Sequence, residues 1–280
     1  MRIGVDVGGT NTDAVLMDGT TVAASHKAPT SANVSDGIIN AITAVLDSSK
    51  VSPENIKSVM VGTTHFTNAF VERKGLLEVA VIRLALPASR GLPPMIDWPE
   101  DIAASVGRHH YLVKGGYEFD GRHISDLDEN AVKQAALDIK QKGLKAVAIS
   151  CVFSPLNSVM EERALQIVLD VLPDVEVTLS SRIGRIGLLE RENAATMNAS
   201  LADLSHKVVN SFRTALSELK IKAPFFISQN DGTLMSADFV EKHPVLTFAS
   251  GPTNSMRGAA YLSGLKNALV VDIGGTTTDA

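Results

Sequence analysis

The stretch Asp6-Val-Gly-Gly-Thr10-Asn-Thr-Asp13 decides the fold, because the chain repeats it as Asp272-Ile-Gly-Gly-Thr276-Thr-Thr-Asp279 with six of eight positions identical. Each copy follows a short apolar run, at residues 3–5 and 268–271. The pattern predicts a strand, a tight turn and a second extended segment. Glycines let a turn adopt positive φ and approach an anion closely, and successive N–H groups in a turn form an anion-binding concavity. Two facing copies would hold a metal-bound polyphosphate from both sides.

The residues of the two copies fall into groups with different expected roles. Asp6 and Asp272 are catalytic candidates that would hold the hydration shell of Mg²⁺, which keeps several of its waters in proteins, with capping of the turn as the alternative. Asp13 and Asp279 are catalytic candidates that could orient a nucleophile or a metal-bound water, with stabilisation of the hairpin as an equal alternative. The remaining residues are expected to contact phosphates through backbone N–H groups and hydroxyls: Gly8, Gly9, Thr10, Thr12, Gly274, Gly275 and Thr276.

The repeated pattern differs from two common nucleotide-binding motifs. The chain contains no G-x-x-x-x-G-K-[ST] and no G-x-G-x-x-G that opens a helix in a βαβ unit. The repeated D-x-G-G-T-x-T-D instead resembles the phosphate motifs of the actin, sugar-kinase and Hsp70 ATPase superfamily, in which two ribonuclease-H-like domains close over ATP. The resemblance implies an α/β fold, a ribonuclease-H-like lobe with an inserted small α/β subdomain, and it implies ATP and Mg²⁺ as cofactors.

Longer segments resemble one family of this superfamily, the hydantoinase/oxoprolinase A subunits. Residues 2–16 look like the start of that family, and residues 62–75 are similar to its G-T-T-x-x-T-N-A-x-x-E-R-K-G segment. Residues 190–201 resemble its E-R-x-N-T-A-x-x-N-A-x-L segment. The stretch 86–108 departs from the family, because it lacks the G-F-R-D-x-x-x-x-G-R segment expected near the substrate.

The family resemblance implies ATP-dependent ring opening of a cyclic amide such as hydantoin, N-methylhydantoin or 5-oxoproline, through phosphorylation of the amide oxygen. The implied partners are that small cyclic amide and a separate B-type hydantoinase subunit, and a homo-oligomer is left open. Two alternatives remain: a subunit of an ATP-dependent ketone carboxylase, and a sugar or acyl-acid kinase of the same superfamily. A non-catalytic filament or activator is a further alternative, but such activators typically bridge a cluster with two cysteines per subunit.

Thr63, Thr64 and Asn68 are predicted to contact the substrate. They lie where a strand passes into a helix, which is where open α/β sheets place ligands, and the helix N-terminus favours an anion. Capping of the helix by Thr63 or Thr64 is an equal alternative. His65, in the same segment, is interpreted as a surface or packing histidine.

Glu190, Arg191 and Asn193 lie on one turn of a predicted helix. An exposed polar helix face and a contact to substrate or to another lobe are equal interpretations of these three residues.

Composition excludes several other classes of function. The 280 residues carry a net charge of −5 without basic blocks, so neither nucleic acid nor an acidic membrane is an expected partner. No segment reaches the roughly 18 consecutive apolar residues of a transmembrane helix, and a cytoplasmic location is the default expectation. Cys151 is the only cysteine, which excludes an internal disulfide, and its apolar surroundings indicate a buried thiol.

The order of expected elements is three strands, a helix, a strand, a helix and a strand over residues 3–84. This order suits the first part of a ribonuclease-H-like lobe, which is assigned to residues 1–84. Residues 85–184 are assigned to the inserted α/β subdomain, with loops and a short hairpin at 86–124, and residues 185–266 to the remainder of the lobe. Residues 267–280 are assigned to the start of a truncated second lobe, because a sheet that stopped there would leave an unpaired apolar edge.

Overall fold

The computed structural model describes residues 1–29, 34–273 and 278–279. The chain forms two units, one of Met1–Val71 with Leu204–Ala280 and one of Glu72–Asp203. Within the described residues, no helix has both the length and the apolar character needed to cross a membrane. The units divide the chain near residues 71 and 203, whereas the boundaries expected from the sequence lie near 84 and 184. The assignment of an inserted subdomain and of a second lobe stays a prediction.

Strands and helices alternate through much of the described chain. The strands are β1 (Arg2–Val7), β2 (Asn11–Asp18), β3 (Thr21–Pro29), β4 (Ser58–Thr63), β5 (Val79–Leu86), β6 (His109–Lys114), β7 (Ala146–Cys151), β8 (Glu176–Leu179), β9 (Phe225–Ser228), β10 (Leu234–Ser236), β11 (Asp272–Ile273) and β12 (Thr278–Asp279). The helices are α1 (Val34–Ser49), α2 (His65–Glu72), α3 (Glu100–Val106), α4 (Glu129–Lys142), α5 (Val159–Val171), α6 (Leu188–Ser200), α7 (Ala202–Glu218), α8 (Ala237–Lys242) and α9 (Ser250–Ser263).

The sheet of the first unit has the strand order β10-β9-β4-β1-β2-β3. The strands β1, β2 and β3 are antiparallel neighbours because short turns join them, and Gly19, with φ of +59°, forms the second of these turns. The strands β4 and β9 run parallel to β1 and need long crossover connections. Helix α1 packs against β1, β2 and β3 through its buried Ile38, Ile42 and Val45. This arrangement is the predicted ribonuclease-H-like lobe.

The sheet of the second unit is entirely parallel, in the order β6-β5-β7-β8. Residues Val79 to Ala85 of β5 are all buried, as expected for a parallel strand that is covered on both faces. On one face, Ile82 and Leu84 pack with apolar side chains of α4 and α5. Helix α6 lies on the opposite face. The sheet and the helices on its two faces form a small α/β layer.

Helix α4 shows how local chemistry sets an element boundary. The carboxylate of Asp128 accepts a hydrogen bond from the backbone N–H of Ala131 over 3.0 Å and caps the helix. The helix ends at Gly143, whose φ of 68° is left-handed and suits a residue without a Cβ atom. Both ends of α4 are therefore fixed by residues of the helix's own segment.

Two parts of the element prediction are wrong. Residues 78–84 were expected to complete the first sheet, but β5 belongs to the second sheet, and β9 takes the place beside β4. Both strands are short apolar runs, so their composition does not indicate which sheet each one joins. The stretch 86–124, expected as loops and a short hairpin, contains α3 and the parallel strand β6. The hairpin is reduced to one antiparallel bridge between Tyr117 and His123.

Cys151 ends β7 and is fully buried, which confirms its interpretation as a core thiol. Burial, with a smaller contribution from Glu161, raises the pKa of its thiol to about 12. Because the thiolate is the reactive form and the site must open before a reagent can enter, native Cys151 should react with dipyridyl disulfide at least about 100-fold more slowly than in the unfolded protein. The protein in denaturant is the control. Rapid stoichiometric labelling of the native protein would contradict this expectation.

Candidate functional site

The first copy of the repeated sequence forms the hairpin of β1 and β2. In its register Asp6 lies opposite Asp13, and Val7 lies opposite Thr12. The turn closes with a hydrogen bond from the Gly8 N–H to the Asn11 carbonyl over 3.0 Å. The predicted strand, turn and strand are therefore confirmed in this copy.

The glycines of this site are needed because other atoms lie close to them. They do not adopt the left-handed backbone conformation that was expected from the sequence. Neither Gly8 nor Gly9 has φ in the left-handed region. A Cβ atom on Gly8 would lie 3.1 Å from the Asn11 carbonyl oxygen. In the adjacent strand β4, a Cβ atom on Gly62 would lie 2.8 Å from a carboxylate oxygen of Asp6. The missing side chain of Gly62 thus makes the space that the Asp6 carboxylate occupies.

Successive side chains along β1 and β2 point to opposite faces of the sheet, so the predicted site residues lie on two faces. Asp6 and Asp13 lie on one face, at the same level as Gly62 of β4. Thr12 and Thr63 flank Val7 and are buried with it on the opposite face. The backbone turn at Gly8, Gly9 and Thr10 connects the two strands, and Gly9 and Thr10 are exposed. The structure therefore buries Thr12, a predicted phosphate contact, on the face opposite the carboxylates.

The face that carries the two carboxylates borders a cavity of about 470 Å³. Asp6 and Asp13 line it, together with Lys27 of β3 and Asn254 of α9. The Lys27 ammonium lies 3.4 Å from an Asp13 carboxylate oxygen. The full set of lining residues is Gly4, Val5, Asp6, Asp13, Ala14, Val15, Ser25, His26, Lys27, Met60, Gly62 and Asn254.

The ionised form of Asp6 is disfavoured by its surroundings in this group. Although Asp6 keeps accessible surface, desolvation by the surrounding protein raises the pKa of its carboxyl group, and the negative charges of Asp13 and Asp272 raise it further. Lys27 acts in the opposite direction. Three carboxylates against one ammonium leave a formal charge of −2, which a divalent cation would neutralise.

The second copy repeats the pairing of the first copy in its described part. Strands β11 and β12 are antiparallel, with Asp272 opposite Asp279 and Ile273 opposite Thr278. This register matches that of Asp6 with Asp13. The Ser255 hydroxyl of α9 donates a hydrogen bond to the Asp272 carboxylate over 2.5 Å. The predicted contacts Gly274, Gly275 and Thr276 lie outside the described residues.

The carboxylates Asp6 and Asp272 could hold a hydrated divalent cation. Within residues 1–29, 34–273 and 278–279, no group of three or more His, Cys, Asp or Glu side chains is close enough to hold a metal ion directly. Mg²⁺ commonly keeps several waters and takes only one or two carboxylates. The negative formal charge of the site and these two carboxylates fit hydrated Mg²⁺.

The predicted substrate segment lies beside the first turn. A Cβ atom on Gly9 would lie 3.8 Å from the side-chain nitrogen of Asn68. That amide donates a hydrogen bond to the Thr64 hydroxyl over 3.2 Å. The structure thus brings Thr64 and Asn68 to the glycine turn.

Thr63 has a local structural role at the same helix end. Its hydroxyl oxygen accepts a hydrogen bond from the His65 backbone N–H over 3.2 Å and lies 2.7 Å from Nδ1 of the His65 ring. Burial lowers the pKa of His65, which favours the neutral imidazole. These contacts agree with helix capping by Thr63 and with a packing role for His65.

Arg191 does not lie on an exposed face. Its side chain is buried, and its guanidinium donates hydrogen bonds to the Ser180 hydroxyl over 2.9 Å and to the Cys151 carbonyl over 2.5 Å. Further bonds reach the carbonyls of the preceding segment, Arg185, Ile186 and Gly187. This arginine therefore holds the entry to α6 against the end of β7, whereas Glu190 is exposed and Asn193 is half-buried.

A buried ion pair next to Arg191 was not predicted from the sequence. Arg83 of β5 and Glu192 of α6 are both buried, and their side chains form two hydrogen bonds of 2.7 and 2.5 Å. The Ser150 hydroxyl of β7 donates a third bond to Glu192 over 2.5 Å. The available signal was a single arginine within the apolar run of β5, since a buried charge requires a partner.

The first unit has a ribonuclease-H-like α/β fold, and its first hairpin carries the candidate site. Residues 2–172 match the family model described as the hydantoinase/oxoprolinase N-terminal region, and residues 191–280 match the model described as hydantoinase/oxoprolinase. The chain therefore belongs to the hydantoinase/oxoprolinase family.

Three relatives illustrate the range of the family. The chain is 28% identical to caprolactamase subunit alpha of Pseudomonas jessenii, over 99% of the chain and 42% of the relative. It is 27% identical to the acetophenone carboxylase gamma subunit of Aromatoleum aromaticum, over 99% of the chain and 41% of the relative. A nucleotide-free acetone carboxylase, solved in work on ATP-dependent acetone carboxylation, has a similar fold, with a TM-score of 0.81, 23% identity, and coverage of 99% of this chain and 43% of that one. The chain thus spans less than half the length of these relatives.

Proposed function

We propose that this chain is the phosphate-binding part of an enzyme that opens a cyclic amide at the expense of ATP. The observation that carries the proposal is the pair of hairpins with equal register, whose leading carboxylates Asp6 and Asp272 interact electrostatically at one site. Membership of the hydantoinase/oxoprolinase family and the similarity to a caprolactamase subunit support a cyclic amide as substrate.

The chemistry explains why such an enzyme would consume ATP. A lactam carbonyl is a poor electrophile, because its nitrogen lone pair is delocalised into the carbonyl group. In the proposed reaction the amide oxygen attacks the terminal phosphorus of ATP, forming an O–P bond while ADP leaves. Water then adds to the activated carbon, the C–N bond breaks, and the phosphoryl group departs as inorganic phosphate. The products are the ring-opened amino acid or ureido acid, ADP and phosphate.

The residues of this chain contribute mainly charge and position to that reaction. The exposed residues Gly9 and Thr10 of the turn would present backbone N–H groups to the phosphates, as anion-binding turns do, whereas the Gly8 N–H closes the turn on the Asn11 carbonyl. Asp6 and Asp272 would hold the waters of Mg²⁺, which supplies neutralisation of the phosphate charge that develops during transfer. Asp13 remains the candidate to orient a nucleophile.

The substrate would lie on the α2 side of the glycine turn. Thr64 and Asn68 are proposed to orient the cyclic amide there, because their hydrogen-bonded side chains stand beside Gly9. Positioning of this kind supplies much of the catalysis in phosphoryl transfer. A B-type subunit is the proposed partner, since the relatives are themselves named as subunits.

A carboxylase subunit is the second candidate, because relatives of nearly equal similarity are named as carboxylase subunits. In both reactions a carbonyl or carboxylate oxygen would be activated by ATP, so the same hairpins would serve. The two candidates differ in what reacts with the activated group. Water would react with the activated amide in the hydrolase, and a ketone would react with the activated carboxylate in the carboxylase.

The test is ADP release by the full-length protein together with its neighbouring subunit. The assay would compare hydantoin, N-methylhydantoin, 5-oxoproline and caprolactam with a reaction that contains no organic substrate. ADP release that depends on one cyclic amide, with equal amounts of ring-opened product, would support the proposal. Stimulation by acetone or acetophenone with bicarbonate, and by no cyclic amide, would overturn it in favour of the carboxylase subunit.

A further inference from the structure

Lys27 stands in a row with the two carboxylates of the first hairpin. In the sheet register Asp13 lies opposite Asp6 on one side and opposite Lys27 on the other. Neighbouring strands lie about 4.8 Å apart, so the three side chains cross β1, β2 and β3 at one level. All three line the same cavity.

The ion pair of Lys27 with Asp13 is loose. The two charged groups are 3.4 Å apart, and the side chains of Lys27 and Asp13 are 65% and 44% exposed. Exposed ion pairs contribute little to stability, because water screens them and two long side chains lose freedom. The Lys27 ammonium is therefore free to exchange Asp13 for a stronger anion without disturbing the fold.

Lys27 is also the only permanently cationic side chain among the described residues that line the cavity. Two of the carboxylates beside it, Asp6 and Asp13, would repel a polyphosphate. A cation held by these carboxylates would supply part of the charge neutralisation that a polyphosphate needs there. The Lys27 ammonium lies at the level of the carboxylates and away from the turn, so it would supply a second positive charge, to the part of the polyphosphate that lies beyond the turn.

We propose that Lys27 contacts the terminal phosphate of bound ATP, leaving Asp13 when the nucleotide binds. The inference rests on the proposed use of ATP and adds a specific discrimination of ATP from ADP. The primary amine suits this role, because it is a compact point charge on a flexible stem. Release from Lys27 would in turn free the Asp13 carboxylate to orient a nucleophile.

The experiment measures the affinities of the full-length protein for ATP and for ADP by calorimetry with Mg²⁺ present. The variants are Lys27→Met, Lys27→Arg and the matched control Lys57→Met, which alters an exposed lysine outside the cavity. A hydrogen bond between charged groups predicts about a tenfold weaker affinity for ATP in Lys27→Met. The affinity for ADP should change less than about twofold, and Lys27→Arg should keep most of the affinity for ATP.

Three outcomes would contradict the role of Lys27. Unchanged ATP affinity in Lys27→Met would overturn it, and so would an equal loss of affinity for ATP and ADP, since a contact to the terminal phosphate affects only ATP. An effect of the same size in Lys57→Met would show a general charge effect and overturn it as well. If the wild-type protein bound neither nucleotide, the proposed function would fail first, and the role of Lys27 with it.

Discussion

Replacing Asp6 with asparagine is expected to lower the ATP-dependent turnover of the full-length protein by about 10³-fold, because phosphoryl transfer depends on groups that hold and neutralise the phosphate charge. Asparagine keeps the size of the side chain and its fit against Gly62, but it removes the negative charge that would attract the cation. The measurement is kcat from ADP release at saturating substrate. Asp18→Asn is the matched control, since Asp18 is an exposed aspartate at the far end of β2.

The same substitution should leave stability unchanged or increase it. Burial and two nearby carboxylates raise the pKa of Asp6 in the folded protein, so the folded state binds this proton more tightly than the unfolded state. The resulting stability is present below the unfolded pKa and is lost as the pH rises through the folded pKa. Asp6→Asn mimics the neutral form, so its melting temperature should fall less than that of the wild type as the pH rises through this acidic window.

Loss of activity together with unchanged or higher stability would identify Asp6 as a residue kept for function. Near-normal turnover in Asp6→Asn would contradict the role assigned to its charge. A lower melting temperature at neutral pH would contradict the electrostatic account, because it would mean that the ionised carboxylate stabilises the fold.

Replacing Glu192 with alanine is expected to destabilise the second unit by about 3–5 kcal/mol, the usual cost of leaving a buried charge without its partner. The substitution would remove the carboxylate partner of the buried Arg83 guanidinium, which would keep its hydrogen bond to the Leu92 carbonyl, and it would remove the acceptor of the Ser150 hydroxyl. The cost can be measured in the full-length protein as the free energy of opening, from hydrogen exchange of the β5 and β7 amides. Glu118→Ala, an exposed glutamate in the same unit, should change it by less than about 0.5 kcal/mol.

A double variant separates the charge from the packing. Arg83→Met with Glu192→Met removes both charges and keeps most of the volume, so it should cost less than Glu192→Ala alone. A cost under about 1 kcal/mol for Glu192→Ala would contradict the account of a mutually dependent pair. So would a double variant whose cost equals the sum of the costs of Arg83→Met and Glu192→Met measured separately.

The sequence was most informative where the structure depends on local chemistry. The first hairpin follows from a short pattern of glycine, threonine and aspartate, and the amphipathic pattern of α4 lies beside the aspartate cap and the glycine end that the structure shows. Each signal lies within one element and needs no knowledge of distant partners. The carboxylates of the site could be predicted for the same reason, because each one lies in the same eight-residue pattern as a glycine turn.

Contacts between segments that are distant in the chain could not be predicted from such local signals. Arg83 and Glu192 are 109 residues apart in the chain, and nothing local to either residue identifies the other. The sheet to which β5 belongs is likewise decided by tertiary packing. The burial of Thr12 depends on the register of its hairpin, since a shift of one residue moves every side chain to the other face.

The position of β9 beside β4 has a consequence for how the protein is made. Val61 pairs with Ile227, so β4 leaves the ribosome more than 160 residues before its partner. The contiguous unit Glu72–Asp203 can fold during this interval, because domains generally form as units during synthesis. The inner edge of β4 stays open meanwhile to pairing with other nascent chains. Chaperone engagement is therefore expected to be greatest between the emergence of β4 and that of β9, and synonymous codons that slow translation in this interval should lower the yield of soluble protein.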